Sequence, residues 1–483
     1  MNVRAAAVLL APLAVLAGCA RNPVTGKRQL ALISTDQEIA LGKEAAQQVT
    51  ESVGRYPDEK VQAYVAEIGK RMVAKSERPG LPWTFTVLDD PTVNAFALPG
   101  GPVFVTRGLL THLTSEAELA SVVGHETGHI TARHSVQDLS KAQLAQLGLG
   151  IGSIVSEDVR QVAQVAGAGM QLLFLRFSRD HERQADELGF KYMTAQGYDP
   201  REMAHVFTTL QRASAQGGQG RIPEWLSTHP DPGNRAETAA KRAAEVKDAG
   251  TKTNRDEYLA HLDGMKFGED PRQGFFQGNA FLHPDLQFKI DFPTGWQKAN
   301  TAGAVVAQSP KKDAVIQLAL AGKASPEEAS RKFFAQKGVK PASLAAGGQP
   351  PNARFFEAQT DQGQIGGLVT FFAHRGATFG ILAYSAAENL RAYAPTFQTA
   401  AASFGPLTDP EALAVQPAHI ELVKVPRDMT LSEFNGEFPS TVPVETVALV
   451  NGVEKDGRLQ AGRTAKRIVG GVKPKGEAAA PKR

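Results

Sequence analysis

Three histidines fall within ten positions of the stretch VVGHETGHITARH, residues 122–134. His125 and His129 stand four apart, so on an α-helix they project from one side with Cβ atoms about 5 to 6 Å apart, close enough to share one ion. Glu126 lies between them, rotated about 100° from His125, where it can face a metal-bound water without ligating the metal. A carboxylate so placed is suited to general-base work. His134 is the first candidate for a third ligand. It lies five after His129, about 140° around the helix, and Ala132 stands where a helix-ending glycine would turn a third histidine back to the ion. His134 is therefore expected to point away.

The second candidate is SRDHERQADELG, residues 178–189, which reads as a helix. Glu182 and Asp186 are four apart, so one can ligate the ion while the other hydrogen-bonds a ligating imidazole and fixes its tautomer. The shorter aspartate suits the outer position. Two imidazoles, a carboxylate and an open fourth position make a catalytic zinc arrangement, whereas a closed structural site uses four protein ligands, commonly thiolates. The chain holds a single cysteine, Cys19, so the ligands here must be His, Asp or Glu.

These side chains need elements to hold them. Ser115 and Glu118 form a capping-box pattern, and Leu119, Val122, Val123 and Ile130 recur at helical spacing, which puts the histidines on a helix. Upstream, TDQEIALGKEAAQQVTESVG reads as a capped amphipathic helix from about Asp36, and a second helix is expected over 58–76. β-Rich runs at 83–88, 94–98 and 102–106, punctuated by Pro and Gly, predict a small sheet. Over 143–175 two apolar, Gly-containing segments, each too short to cross a bilayer, suggest a helical hairpin packed beside the site.

At 483 residues the chain is too long for one core, and a net charge of +3 with 21% charged residues gives no polyanion signature, so nucleic acid is not an expected partner. The start, MNVRAAAVLLAPLAVLAGCA, has one early cation and a short apolar run ending in small residues, as an export signal does. Leu16-Ala17-Gly18-Cys19 resembles the bacterial lipobox. That likeness implies a signal peptide over 1–18, a lipid on Cys19 and a tether over 19–35. Ala20 in place of an aspartate favours anchoring at the periplasmic face of the outer membrane.

The character changes near 266. Phe288, Ile290 and Phe292 alternate as in a strand, AVVAQ and AVIQLAL suggest a hairpin, and SPEEASRKFFAQ is a capped helix with Pro in its first turn. Strands near 353–359, 364–373 and 378–384 precede a helix at 386–402. By element order this α+β domain, 266–408, resembles the PsbP/Mog1-like fold. Residues 415–470 run strand, helix, helix, strand (IELVKV, TLSEFNGEF, VETVALVNGV, AKRIV). With Asn451 and the LQAG turn they resemble a LysM-like βααβ module, a fold used for peptidoglycan binding and also for plain docking. Residues 471–483 read as a basic, solvated tail.

NAFALPGG, HETGH, SRDHERQAD and THPDPGNR, in that order along the chain, resemble the gluzincin metalloproteases that include the CaaX-prenyl proteases, the HtpX-like heat-shock proteases and the periplasmic β-barrel assembly-enhancing protease. The likeness covers roughly 36–250 and implies a mainly helical metallopeptidase domain with a small β-sheet over 36–265, so the fold class expected is α+β. It also implies one Zn2+ per chain on His125, His129 and Glu182, with Glu126 as general base and Asp186 behind a ligand histidine. Asn94, Ala95, Phe96 and Ala97 are expected to form an exposed edge strand that pairs with substrate backbone. His229 and Arg235 would approach the site, to stabilise an oxyanion or, for His229, to occupy zinc's fourth position. The implied function is cleavage of unfolded or misassembled envelope proteins. The alternatives are a lipid-anchored chaperone or assembly factor with latent protease activity, and a peptidoglycan-associated binding protein. Outer-membrane assembly machinery is a further candidate partner for the C-terminal domains.

Overall fold

The computed structural model describes residues 19–146, 172–173, 175–216, 225–229, 234–301, 303–343, 353–360 and 363–472. The export segment 1–18, most of the expected hairpin over 143–175, residues 230–233 and the basic tail from 473 lie outside the described residues. The chain divides into two compact units, one reaching to Glu269 and including Ala418–Val469, the other beginning at Asp270 and running to Pro417.

In the first unit β1 (Cys19–Arg21) pairs antiparallel with β2 (Arg28–Leu30). α1 (Thr35–Val53) starts on Ser34, whose hydroxyl accepts from Gln37 N–H while the Gln37 side chain returns to the Ser34 backbone. α2 (Glu59–Val73) is capped by Asp58. β3 (Thr84–Leu88), β4 (Ala95–Ala97) and β5 (Pro102–Thr106) form the small sheet, with β5 central, β3 parallel to it and β4 antiparallel. There follow α3 (Arg107–His112), α4 (Glu116–Thr131), α5 (His134–Gln146), α6 (Arg179–Thr194), α7 (Glu202–Gln216), α8 (Trp225–Thr228) and α9 (Arg235–Glu245).

α4 is the axis of this unit. All of its residues are buried, and it packs against α2, α6, α7 and β4. Its cap is half of the expected box. Ser115 Oγ accepts from Glu118 N–H at 3.1 Å, but the Glu118 carboxylate takes the Thr114 N–H, because Glu118 is buried under the preceding loop. Glycines set how closely α6 approaches. A Cβ on Gly124 would lie 3.1 Å from Gly189 Cα, one on Gly128 3.2 Å from Ala185 Cα, and one on Gly189 2.8 Å from His125 N. No side chain fits between the helices at those points.

α4 does not continue to His134. Ala132 caps it and Arg133 takes a left-handed φ of 60°, so His134 opens α5 and the 140° projection from an unbroken helix does not apply. Buried Glu38 holds this corner, accepting from Arg78 Nη1 (2.8 Å), Arg78 Nη2 (3.0 Å) and Arg133 Nε (3.0 Å).

The second unit comprises β6 (Phe275–Gln277), β7 (Ala280–His283), β8 (Phe288–Asp291), β9 (Gln297–Asn300), β10 (Ala304–Gln308), β11 (Ala314–Gly322), α10 (Pro326–Phe334), β12 (Val339–Pro341), β13 (Arg354–Thr360), β14 (Gly363–His374), β15 (Ala377–Ala386), α11 (Leu390–Ala402) and β16 (Gly405–Pro406). One antiparallel sheet has the order β12-β13-β14-β15-β11-β10-β9, a second the order β16-β8-β7-β6. The expected β10–β11 hairpin forms. Phe288, Ile290 and Phe292 are buried while Lys289 and Asp291 are exposed, as their alternation requires.

Residues 418–469 pack in the first unit and show the order expected of them. β17 (His419–Lys424) pairs antiparallel with β20 (Thr464–Val469), and between them lie β18 (Met429–Thr430), α12 (Leu431–Glu437), α13 (Val444–Val450) and β19 (Arg458–Leu459). Buried Asn451 ties α13 to β20: its Nδ2 donates to Val447 O (2.9 Å) and Lys466 O (2.8 Å), and its Oδ1 accepts from Lys466 N–H (2.8 Å). Fully buried Lys466 donates from Nζ to Thr111 O (2.9 Å) and Leu113 O (2.6 Å), on the turn that leads into α4.

Candidate metal centre

Four buried side chains converge where α4, α6 and the end of α8 meet. His125, His129, Glu182 and His229 each offer a donor atom, and these atoms all lie within 4.8 Å of one another. His129 Nε2 is 3.0 Å from His125 Nε2 and 3.4 Å from Glu182 Oε1. His229 Nδ1 is 3.0 Å from Glu182 Oε1 and 3.3 Å from His125 Nε2. The two-imidazole, one-carboxylate set read from the sequence is thus brought together, and His229 adds a fourth donor. His134 lies outside the cluster, although it is fully buried and touches it from behind: its Nδ1 is 3.0 Å from His129 Nδ1.

Behind His125, Asp186 Oδ1 stands 2.9 Å from Nδ1, which leaves Nε2 facing the cluster. Arg235 grips Asp186 with Nε (2.9 Å) and Nη2 (2.6 Å), and its Nη1 lies 3.1 Å from Glu182 Oε2. The guanidinium packs against the rings of Phe207 and Trp225, with centroids at 4.3 and 4.5 Å. Its donors face two carboxylates, so in this arrangement Arg235 makes orienting contacts to Asp186 and Glu182. Trp225 stacks on His229 (4.6 Å, 11°), and Phe177 lies over His129 at 4.0 Å.

Glu126 is completely buried beside the cluster, with Oε1 3.7 Å from His229 Nε2. Neither of its oxygens has a hydrogen-bond partner among the described residues, and Glu182 Oε2 meets Arg235 in an ion-pair contact. Burial drives the Glu126 carboxyl above its usual range, against the pull of His229 and His125. Burial also acts on Glu182, but His229 and the hydrogen bonds from His129 and His229 hold it well below the carboxylate range. Asp186 is likewise lowered, by Arg235 and His125 against the effect of burial. Burial pushes the His129 imidazole down to about 3, so it is neutral. A neutral His129 imidazole, an ionised Glu182 and the unpartnered oxygens of buried Glu126, converging with His125 and His229, fit a divalent cation that prefers nitrogen and oxygen donors, as zinc does.

Asn94, Ala95, Phe96 and Ala97 lie on or at the start of β4, an edge strand of the sheet. Their side chains are less exposed than expected. Asn94, Ala95 and Phe96 are buried because α4 crosses β4 and Phe96 stacks on Phe104 at 5.1 Å. Just before the strand, Val93 O accepts from Trp225 N–H (3.2 Å), which links this edge to the segment carrying His229.

The residues missed from the sequence are Trp225, Phe177, Gln184 and the glycines facing α6, together with the contact of His134 behind His129. Gly124, Gly128, Ala185 and Gly189 carried a legible signal, since small residues four apart on two helices mark a close crossing. The aromatic lids carried none, being single residues remote in the chain.

Residues 59–243 match peptidase family M48. The chain is 31% identical over 250 residues to a β-barrel assembly-enhancing protease of Yersinia pestis, covering 50% of this chain and 51% of that protein. It is 26% identical over 348 residues to the Escherichia coli K12 protein of the same name, covering 70% and 65%. It is 36% identical over 187 residues to the mitochondrial metalloendopeptidase OMA1 of Arabidopsis thaliana, covering 38% and 36%. The chain therefore spans between about a third and two thirds of these relatives. A solved cyanobacterial PsbP from Synechocystis sp. PCC 6803 is similar over 26% of this chain and 91% of its own, at 13% identity and a TM-score of 0.21, too slight a likeness to build on. Through residues 59–243 the chain is thus similar to peptidase family M48, and over longer stretches to the β-barrel assembly-enhancing proteases.

Proposed function

We propose that the protein is a zinc-dependent endopeptidase of the bacterial envelope that cleaves unfolded or misassembled outer-membrane proteins. The observation that carries this reading is the buried cluster His125, His129, Glu182 and His229 with Glu126 beside it. His125, His129 and Glu182 would hold one zinc, which when bound supplies Lewis acidity to a peptide carbonyl and acidifies a water. Glu126 takes the proton of the attacking water on a carboxylate oxygen and passes it to the leaving amine. Its pKa, raised by burial, suits a group that must hold that proton between the two steps. Asp186 and Arg235 orient His125 and Glu182. The β4 edge at Asn94–Ala97 pairs with the substrate main chain, which explains tolerance of varied sequences. Glu126→Gln should abolish cleavage of casein or a misfolded porin.

His229 supports a refinement of this reading. If His229 takes the fourth position, cleavage at rest is low and rises when His229 withdraws. This favours an assembly factor whose proteolysis is conditional. His229→Ala is expected to raise basal cleavage, and unchanged cleavage would remove the latency from the account.

The setting follows from the remaining features. The lipobox-like segment supports a lipid on Cys19 and a place on the periplasmic face of the outer membrane. No helix among the described residues is long and apolar enough to cross a membrane. The β–α–α–β order of residues 418–469 supports a LysM-like module, a docking face for peptidoglycan or assembly machinery, and the second unit is read as PsbP/Mog1-like.

A further inference from the structure

We infer that His134 and Gln184 form a neutral hydrogen-bond relay that fixes the tautomer and ring plane of His129, making both of them positioning residues for the metal. His134 Nδ1 lies 3.0 Å from His129 Nδ1, and His134 Nε2 lies 3.0 Å from Gln184 Oε1. The plane of His134 is itself held. His181 stacks flat against it (4.2 Å, 7°), and His181 Nδ1 lies 3.3 Å from Asp138 Oδ2. The turn at Arg133 aims His134 into this place, and Glu38 holds the turn.

Two ring nitrogens at 3.0 Å share one proton, and only one arrangement serves a metal. If His129 donates from Nδ1 to His134 Nδ1, then His134 must carry its own proton on Nε2, which donates to Gln184 Oε1. His129 Nε2 then keeps its lone pair, and that is the nitrogen beside His125 and Glu182. The reverse arrangement needs the Gln184 amide to donate, and it puts a proton on His129 Nε2, where a cation belongs. With its carbonyl oxygen turned to His134 Nε2, Gln184 is placed to accept as the first arrangement requires. The two histidine ligands are thus supported differently, His125 by an ionised aspartate and His129 by a neutral imidazole. A carboxylate at 134 would add a further carboxylate to Glu126, Glu182 and Asp186, against which Arg235 offers a guanidinium.

This inference rests on the reading of the cluster as a zinc site, and the test separates the two. Zinc affinity of the full chain is measured by chelator competition for wild type, Gln184→Leu, Gln184→Glu and His134→Phe, with the cobalt-substituted visible spectrum as a second readout. Gln184 is only partly buried, so its variants should fold, and thermal unfolding of the zinc-free proteins checks this. Gln184→Leu and His134→Phe should bind zinc about 10- to 100-fold more weakly, with an altered cobalt spectrum, while Gln184→Glu, which keeps an acceptor, stays within a few-fold of wild type. Zinc binding by Gln184→Leu within about twofold of wild type, or a loss in Gln184→Glu as large as in Gln184→Leu, overturns the relay and leaves the zinc site standing. Failure of the wild type to bind zinc overturns both.

Discussion

At the scale of single residues, the site depends on which nitrogen of each imidazole carries its proton. Asp186 settles this for His125 from 2.9 Å away and is itself fixed by two hydrogen bonds from Arg235. Asp186→Asn keeps the shape but can present a donor to His125, so zinc affinity by chelator competition should fall about 10- to 100-fold; an unchanged affinity would mean that Asp186 serves only packing. The pair His125 and His129 was legible from four-residue spacing, and Glu182 with Asp186 from the same spacing 53 positions beyond His129. The choice between the two acidic residues was open from spacing alone, because it depends on how helix α6 is rotated against α4. His134 was placed outside the ligand set for a reason that did not hold, since the helix it was projected on ends at Ala132. A single left-handed residue, Arg133, changes the outcome, and nothing in its own type announces it.

At the scale of elements, the distance between α4 and α6 decides whether Glu182 can reach the histidines. Gly124 and Gly128 on one helix meet Gly189 and Ala185 on the other with no room for a further side chain. Gly128→Leu should force the helices apart, costing about 1 to 3 kcal/mol of stability and weakening zinc binding together with it. A thermal melt and a zinc titration on the same sample check this, and a variant that matches wild type in both would show that the crossing has slack. The first turn of α4 supplies a second test. Buried Glu116 accepts from Tyr198 (2.5 Å), Tyr64 (2.7 Å), Arg71 (3.1 Å) and Asn254 (3.1 Å). Burial would raise its carboxyl, but the tyrosine hydrogen bonds and the charges of Arg71 and Lys252 lower it below the usual value of 4.5. A carboxylate lowered on folding adds stability that is present above its unfolded pKa and lost as pH falls through the folded one. Glu116→Gln should therefore cost about 2 kcal/mol at neutral pH, a difference that shrinks below about pH 4.5. A gap that stays constant down to acid pH would contradict this. The helices and the strand alternation of the second unit were legible because their periods are local, whereas the helix crossing is a property of two distant segments together.

At the scale of the molecule, residues 418–469 are joined to the peptidase fold and not merely appended to it. Lys466, with no exposed surface, reaches the carbonyls of Thr111 and Leu113 immediately ahead of α4. The strand and helix order of this segment was legible, but its attachment was not, because a lysine in a strand pattern ordinarily faces water. The central proposal is that two imidazoles, one distant carboxylate and buried Glu126 as general base make a zinc peptidase whose substrates are misassembled envelope proteins. It is tested most directly by zinc analysis of the full chain coupled to cleavage of a misfolded porin, for wild type and Glu126→Gln side by side. The account predicts one zinc per chain in both proteins and cleavage in the wild type alone; undiminished cleavage by Glu126→Gln, or cleavage by zinc-free wild type, would contradict it.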